Sequence, residues 1–276
     1  IFAGETRALY ALAGFKYGDV LCDVGCGPGT TTFELAQLAG PNGKVIATDS
    51  SSDGLSRLRG KALDQGYSDG EDDGVLHHAD IAPIELCERD AAAPSPLSAT
   101  PVDGLWCRWL LTWISQLEAD GPGGTVSPLT SILRNCRAAL RPGGTAVFWD
   151  YFCDAGWGVT SSVPTPEWDR LLMLLGDEWR QVGDPAVASK LPARLVKEGF
   201  ELVSIKSIAP IVLQSSADWI WRSSYFALQA RRLANEGKLT NEDVERFDAE
   251  WALIGDTPGS FYCPPTMAAI VARRPA

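Results

Sequence analysis

The sequence predicts an α/β fold: a mostly parallel sheet wrapped by helices, with a helical cap set late in the chain. Two observations carry this. Through the first 150 residues, short apolar runs of strand length alternate with longer segments of helical period, which implies parallel strands joined by right-handed crossovers. After Asp150 the rhythm gives way to long helix-like stretches between late strand-like runs. The size agrees. At 276 residues, 45% apolar and 21% charged, the chain can bury a full core.

Residues 19–24 (DVLCDV) form the first expected strand, an apolar run that stops at glycines and suits a buried parallel position. Residues 30–39 (TTTFELAQLA) then read as a helix, with threonines at its start and Gly40-Pro41 ending it. A second strand covers 43–48 (GKVIAT), a helix covers 53–65, and 74–79 (GVLHHA) reads as the third strand. The Ala-, Pro- and Ser-rich segment 88–101 is a loop. Residues 102–107 (VDGLWC) give the fourth strand, 127–140 a helix, Arg141-Pro142-Gly143-Gly144 a turn, and 145–150 (TAVFWD) the fifth strand. Helices are expected within 163–182 and 217–255, and two last strands over 200–206 and 268–273 complete a seven-stranded sheet.

Composition narrows the function. The net charge is −11 and no Lys/Arg cluster stands out, Arg231-Arg232 and Arg273-Arg274 being only pairs, which disfavours a nucleic-acid partner, because phosphates call for a basic face. Seven cysteines, an odd number without a CxxC pair, read as reduced thiols and point to a cytoplasmic location. The only two histidines, His77 and His78, are adjacent, so no histidine-based metal site is expected. No apolar run reaches the length of a membrane span. The chain opens on Ile1, and a missing N-terminal piece is expected.

The chemistry concentrates after the first strand, at Asp23-Val24-Gly25-Cys26-Gly27-Pro28-Gly29. Glycines here admit a ligand close to the backbone, and the following helix start offers amide donors. The dinucleotide fingerprint G-x-G-x-x-G fails, since Thr30 or Thr32 stands where the third glycine belongs. The run Val20 to Gly29 resembles the first motif of class I S-adenosylmethionine (SAM)-dependent methyltransferases, and Asp49 after the second strand matches that family's acidic residue. The resemblance implies a Rossmann-like class I methyltransferase fold and SAM as cofactor. It places Asp23 near the methionyl end and Asp49 on both ribose hydroxyls, a role suited to a carboxylate's two acceptor oxygens. It places Asp80 and Ile81 around the adenine, with Arg108-Trp109 beneath the methionyl group. The wider pattern is similar to UbiE-like small-molecule methyltransferases.

The expected organisation is a SAM-binding Rossmann-like core over 1–150, followed by cap insertions and the last two strands over 151–276. The expected partner is a small, partly apolar acceptor that takes the methyl group on oxygen, nitrogen or carbon. Trp109, Trp113 and Tyr151 are candidate lining residues, while Trp106 and Trp149 lie inside strands and read as packing. Tyr151 and Asp154 are the candidates for orienting the acceptor. No catalytic base stands out, and none is required unless the nucleophile arrives protonated. The alternative is a SAM-binding sensor or partner subunit without catalysis.

Overall fold

A computed structural model describes residues 2–70, 74–114, 126–153 and 156–276. The chain opens with helix α1 (Ala3–Ala13), then strand β1 (Val20–Val24), helix α2 (Thr30–Ala39), β2 (Lys44–Asp49) and α3 (Ser52–Asp64). Three strands follow: β3 (Ser68–Asp69), β4 (Val75–His77) and β5 (Ile84–Glu88). Next come β6 (Val102–Arg108), a 3-10 turn at Leu111–Trp113, α4 (Pro128–Ala139) and the long β7 (Leu140–Cys153). The last part holds β8 (Gly158–Thr160), α5 (Pro166–Val182), α6 (Val187–Lys197), β9 (Glu201–Ile208) and β10 (Val212–Leu213). Helices α7 (Asp218–Asn235) and α8 (Asn241–Asp256) precede β11 (Phe261–Cys263) and β12 (Thr266–Arg273).

Local chemistry sets many of these boundaries. Gly29, at φ 82°, opens α2, and the Gly40 amide closes it on the Ala36 carbonyl. Ser51 caps α3 by accepting from the Gly54 amide at 3.1 Å. Thr240 and Asp243 form a reciprocal capping box on α8.

Nine strands form the main sheet, in the order β3-β4-β5-β2-β1-β6-β7-β12-β9. The five strands from β5 to β7 run parallel, and β12 runs antiparallel to both β7 and β9. Seven of the nine, β5 with β2, β1, β6, β7, β12 and β9, make a sheet of the expected strand number, and six of them stand where strands were expected. The other two, β3 and β4, add an antiparallel hairpin at its edge.

That hairpin corrects the reading of the third strand. Residues 74–79 supply β4, antiparallel to its neighbour, whereas the third parallel strand is Ile84–Glu88, registered so that Asp49 faces Glu88. In IELCE glutamates stand at the second and last positions, so the segment lacked the apolar run expected of an inner strand. The expected turn at Arg141–Gly144 lies within the bounds of β7 as a bulge: the pairing with β6 steps from Val102–Leu140 to Gly104–Thr145, with Gly143 at φ 76° between them.

Side chains alternate across the sheet, as strand geometry requires. Leu21, Val45, Trp106 and Trp149 face α1, α2 and α3 in one buried cluster. Cys22, Ile46, Leu105 and Phe148 face α4 and α6 in another. A third cluster, around Trp168, Phe226, Trp251 and Tyr262, joins α5, α7 and α8 to a small sheet ordered β10-β11-β8. Among the described residues no helix is long and apolar enough to cross a membrane.

Candidate functional site

Parallel strands deliver their following residues to one edge of the sheet, and in open α/β sheets ligands bind there. At that edge the glycine loop is tied to the end of β2: the Gly25 and Cys26 amides donate to the Thr48 carbonyl at 2.8 and 3.1 Å. Gly27 adopts φ 51°, and a Cβ built on it would meet nothing within 4 Å, so its face of the loop opens onto free space. The equivalent atom on Gly25 would stand 3.0 Å from the Leu110 side chain, which packs beneath the loop. Asp49 closes the cradle from β2, accepting from the Gly27 amide on one carboxylate oxygen (2.7 Å) and from the Ser51 amide on the other (2.9 Å).

Asp23 lies below this cradle and is 1% exposed. Its carboxylate accepts from the hydroxyls of Thr32 (2.7 Å) and Thr31 (3.3 Å) in the first turn of α2. Burial pushes its pKa up to about 6, against the pull of the threonine hydrogen bonds and the Arg108 charge.

Arg108 ends β6 with its guanidinium carbon 4.6 Å from the Trp109 ring centre and 5.6 Å from that of Trp149. Burial lowers its pKa, opposed by Asp23 and Tyr10. Among the described residues it makes no hydrogen bond or ion pair. Tyr10 of α1 borders the same space and donates to Glu34 at 3.3 Å, and Phe2 sets its edge against Trp109 and Trp149 at 5.6 and 5.5 Å.

Asp80 and Ile81 are not brought to this edge. They lie in the link from β4 to β5, at the end where the parallel strands begin: the neighbouring Pro83 carbonyl accepts from Val45, near the start of β2. The reversed direction of β4 is the physical reason. The segment that does leave β5 beside Asp49 is Arg89-Asp90. There the Arg89 amide donates to the Asp49 carbonyl at 2.7 Å, and Asp90 accepts from the Ala92 amide at 2.9 Å.

Past Arg108, at Trp109, opens a cavity of about 690 Å³. Trp109, Trp113 and Tyr151 line it, together with Trp157, Trp179 and Tyr262. Trp109 is the hinge between cradle and cavity. It is the only non-glycine residue with positive φ (59°) among those described, its amide donates to the Trp149 carbonyl at 2.9 Å, and its ring stacks on Tyr151 at 6.1 Å. Trp179 meets Tyr151 edge to face at 4.6 Å and donates to the Thr112 hydroxyl at 2.9 Å. Trp157 donates to the Tyr262 hydroxyl at 2.7 Å. Asp154 lies outside the described residues.

Part of the lining is polar. Glu178 of α5 accepts from Arg232 of α7 at 2.5 Å and from Lys238, and all three line the space with Gln181 and Gln229. Sequence reading did not single out this wall or Trp179. The signal present was the spacing Leu171-Leu175-Trp179 along one face of α5. Among the described residues no group of three or more candidate ligands could hold a metal.

Comparisons with known proteins fit this geometry. Residues 15–91, which hold the glycine loop and Asp49, match the family model for a methyltransferase domain. A crystal structure of a methyltransferase from Bacillus halodurans aligns over 99% of this chain and 100% of its own, with TM-score 0.56 and 19% identity. Phosphoethanolamine N-methyltransferase 2 from Haemonchus contortus, solved with phosphomonomethylethanolamine and S-adenosylhomocysteine, aligns over 99% of this chain and 53% of its own, with TM-score 0.53 and 14% identity. The 4+2 cyclase SpnF aligns over 99% of this chain and 81% of its own, with TM-score 0.56 and 16% identity. No curated protein matches the sequence. The fold is that of the class I SAM-dependent methyltransferases, and residues 15–91 match the model for a methyltransferase domain.

Proposed function

We propose that this chain transfers a methyl group from SAM to a small, partly apolar acceptor held in the aromatic cavity. The observation that carries the reading is the pairing of an open-faced glycine loop with Asp49 on the neighbouring parallel strand, at the sheet edge from which Trp109 reaches the cavity. Asp49 keeps lone pairs beyond its two backbone donors, so it suits two vicinal ribose hydroxyls. Gly25 and Gly27 line the backbone approach. Arg108, a desolvated cation without a hydrogen-bonding partner among the described residues, suits the methionyl carboxylate, and Asp23 holds the start of α2 below it.

For the adenine, the loop after β5 replaces Asp80 and Ile81 in our reading: Asp90 and the following amides leave the sheet beside Asp49. Residues 1–150 serve as the cofactor core, and 151–276 as the cap and the last strands of the sheet. Bound SAM supplies a methyl group activated by the sulfonium. The protein's task is to hold the acceptor atom in line with it at about 3 Å and to exclude water. Tyr151 and Trp109 stand at the junction where that alignment is set.

A second reading is SAM binding without methyl transfer. It draws support from SpnF, a cyclase by name, which shares the fold as closely as the methyltransferase from B. halodurans. Calorimetry with SAM, S-adenosylhomocysteine and NAD, repeated on Asp49→Ala, tests the cofactor. The expected result is micromolar binding of the first two and at least a tenfold loss in the variant, consistent with a charged hydrogen bond worth roughly 1.5–3 kcal/mol. Binding of NAD alone would sink the cofactor assignment. Steady release of S-adenosylhomocysteine with any acceptor would reject the second reading.

A further inference from the structure

The cavity's lining divides into an aromatic part and a charged part, and that division selects among acceptors. Near the cradle its walls are aromatic faces and edges from separate elements: Trp109 and Trp113 after β6, Tyr151 of β7, and Trp179 of α5. A flat ring inserted among them gains offset-stacked and edge-to-face contacts, each worth more than area burial alone. Its volume of about 690 Å³ has room for a fused two- or three-ring body.

The charged part of the lining holds Arg232, Lys238 and Glu178, and Glu236 beside it accepts from both cations. Arg232 donates to Gln229, Glu236 and Glu178, which uses three of a guanidinium's five N–H groups. Lys238 donates to Glu178 and Glu236, which uses two of an ammonium's three. Donors therefore remain for an acceptor-only group. A cationic ligand fits less well, because both oxygens of the lining carboxylate, Glu178, already accept from Arg232 and Lys238, while Arg108 lies over the Trp109 face.

We propose that the acceptor is a flat aromatic carboxylate, its rings between the cavity's tryptophans and its carboxylate on Arg232 and Lys238, with the methyl-accepting atom at the opposite end beside Tyr151. This rests on the reading of the neighbouring cradle as the SAM site. The carboxylate end would set specificity, and the aromatic walls would supply most of the contact area.

Calorimetric titration of the full chain, saturated with S-adenosylhomocysteine, separates the two ideas. The probes are 6-hydroxy-2-naphthoate, its neutral carboxamide, and the matching naphthylmethylammonium. The expected order is naphthoate tightest, at least tenfold over the carboxamide, with the ammonium weakest. Lys238→Gln and Arg232→Gln should each weaken the naphthoate several-fold while leaving the carboxamide unchanged, with near-ultraviolet circular dichroism checking that each variant folds. Lys238→Gln is the safer of the two, since Arg232 still holds Glu178 in that variant. Equal binding of acid and amide, preference for the ammonium, or no binding of any probe would overturn the proposal. Failure of S-adenosylhomocysteine itself to bind would instead overturn the cofactor reading beneath it.

Discussion

Asp150 ends the apolar run of β7 as a carboxyl group sealed inside the molecule, 1% exposed. It accepts from the backbone amides of Tyr151 at 2.8 Å and Thr112 at 3.1 Å, yet burial pushes its pKa up to about 7, with Asp184 adding to the rise. Asp23 behaves alike, at about 6. The sign follows from linkage. A carboxyl whose folded pKa is raised contributes stability below its unfolded value near 3.8, and that stability is lost as pH climbs through the folded value. Unfolding free energy should therefore fall between pH 4.5 and 8 by about 5 kcal/mol, roughly 3 of it from Asp150, at about 1.4 kcal/mol per pKa unit. Asp150→Asn mimics the protonated form and should flatten most of that slope in urea titrations. A variant with the wild-type slope would mean that Asp150 stays charged throughout.

Thr112 shows how elements lock together around the cavity. Its hydroxyl donates to the Asp184 carbonyl at 3.0 Å and accepts from Trp179, while its carbonyl accepts from the Asp184 amide, so the turn after β6 is stitched to the end of α5. Thr112→Val keeps the shape but strands the Trp179 indole N–H, a buried group whose loss of partner costs about 1–3 kcal/mol. Melting temperature should drop, and aromatic ligands should bind more weakly, while S-adenosylhomocysteine affinity holds. A fall in cofactor affinity equal to the fall in ligand affinity would show that the two sites are not separable. Elements with a clear period were legible beforehand: β1 as an apolar run, and α2 between Gly29 and Gly40 to the residue. Strands of two or three residues such as β8, β10 and β11 are too short to show a period, and Pro192 inside α6 masks that helix. In the candidate site, the glycine loop could be read because its residues are contiguous. The cavity could not, because Trp109 meets Tyr151 and Trp179 only through the folded sheet.

At the scale of the molecule, two hydrophobic clusters sandwich the sheet and a third stands in the cap. Trp168 centres the third, 1% exposed, edge-on to Phe226 at 4.4 Å and stacked on Trp251 at 4.8 Å. Trp168→Ala should remove about 3–5 kcal/mol from the packing it anchors. Because that cluster has its own members, hydrogen exchange should quicken in α5, α7 and α8 well before β1 and β2. Uniform loss across both would show one cooperative unit instead. The aromatic continuity that runs from the cradle to the cavity also has an optical side. Trp106, Trp149 and Trp109 stand within 6.4 Å of their neighbours, and Tyr151 links them to Trp179, which touches both Trp113 and Trp157. Excitation absorbed by one indole migrates among such close neighbours before it is emitted, so a molecule that touches any one ring dims or shifts the light of the whole array. The protein thus carries its own label, and the arrival of a ligand in the cavity can be followed by its native fluorescence alone.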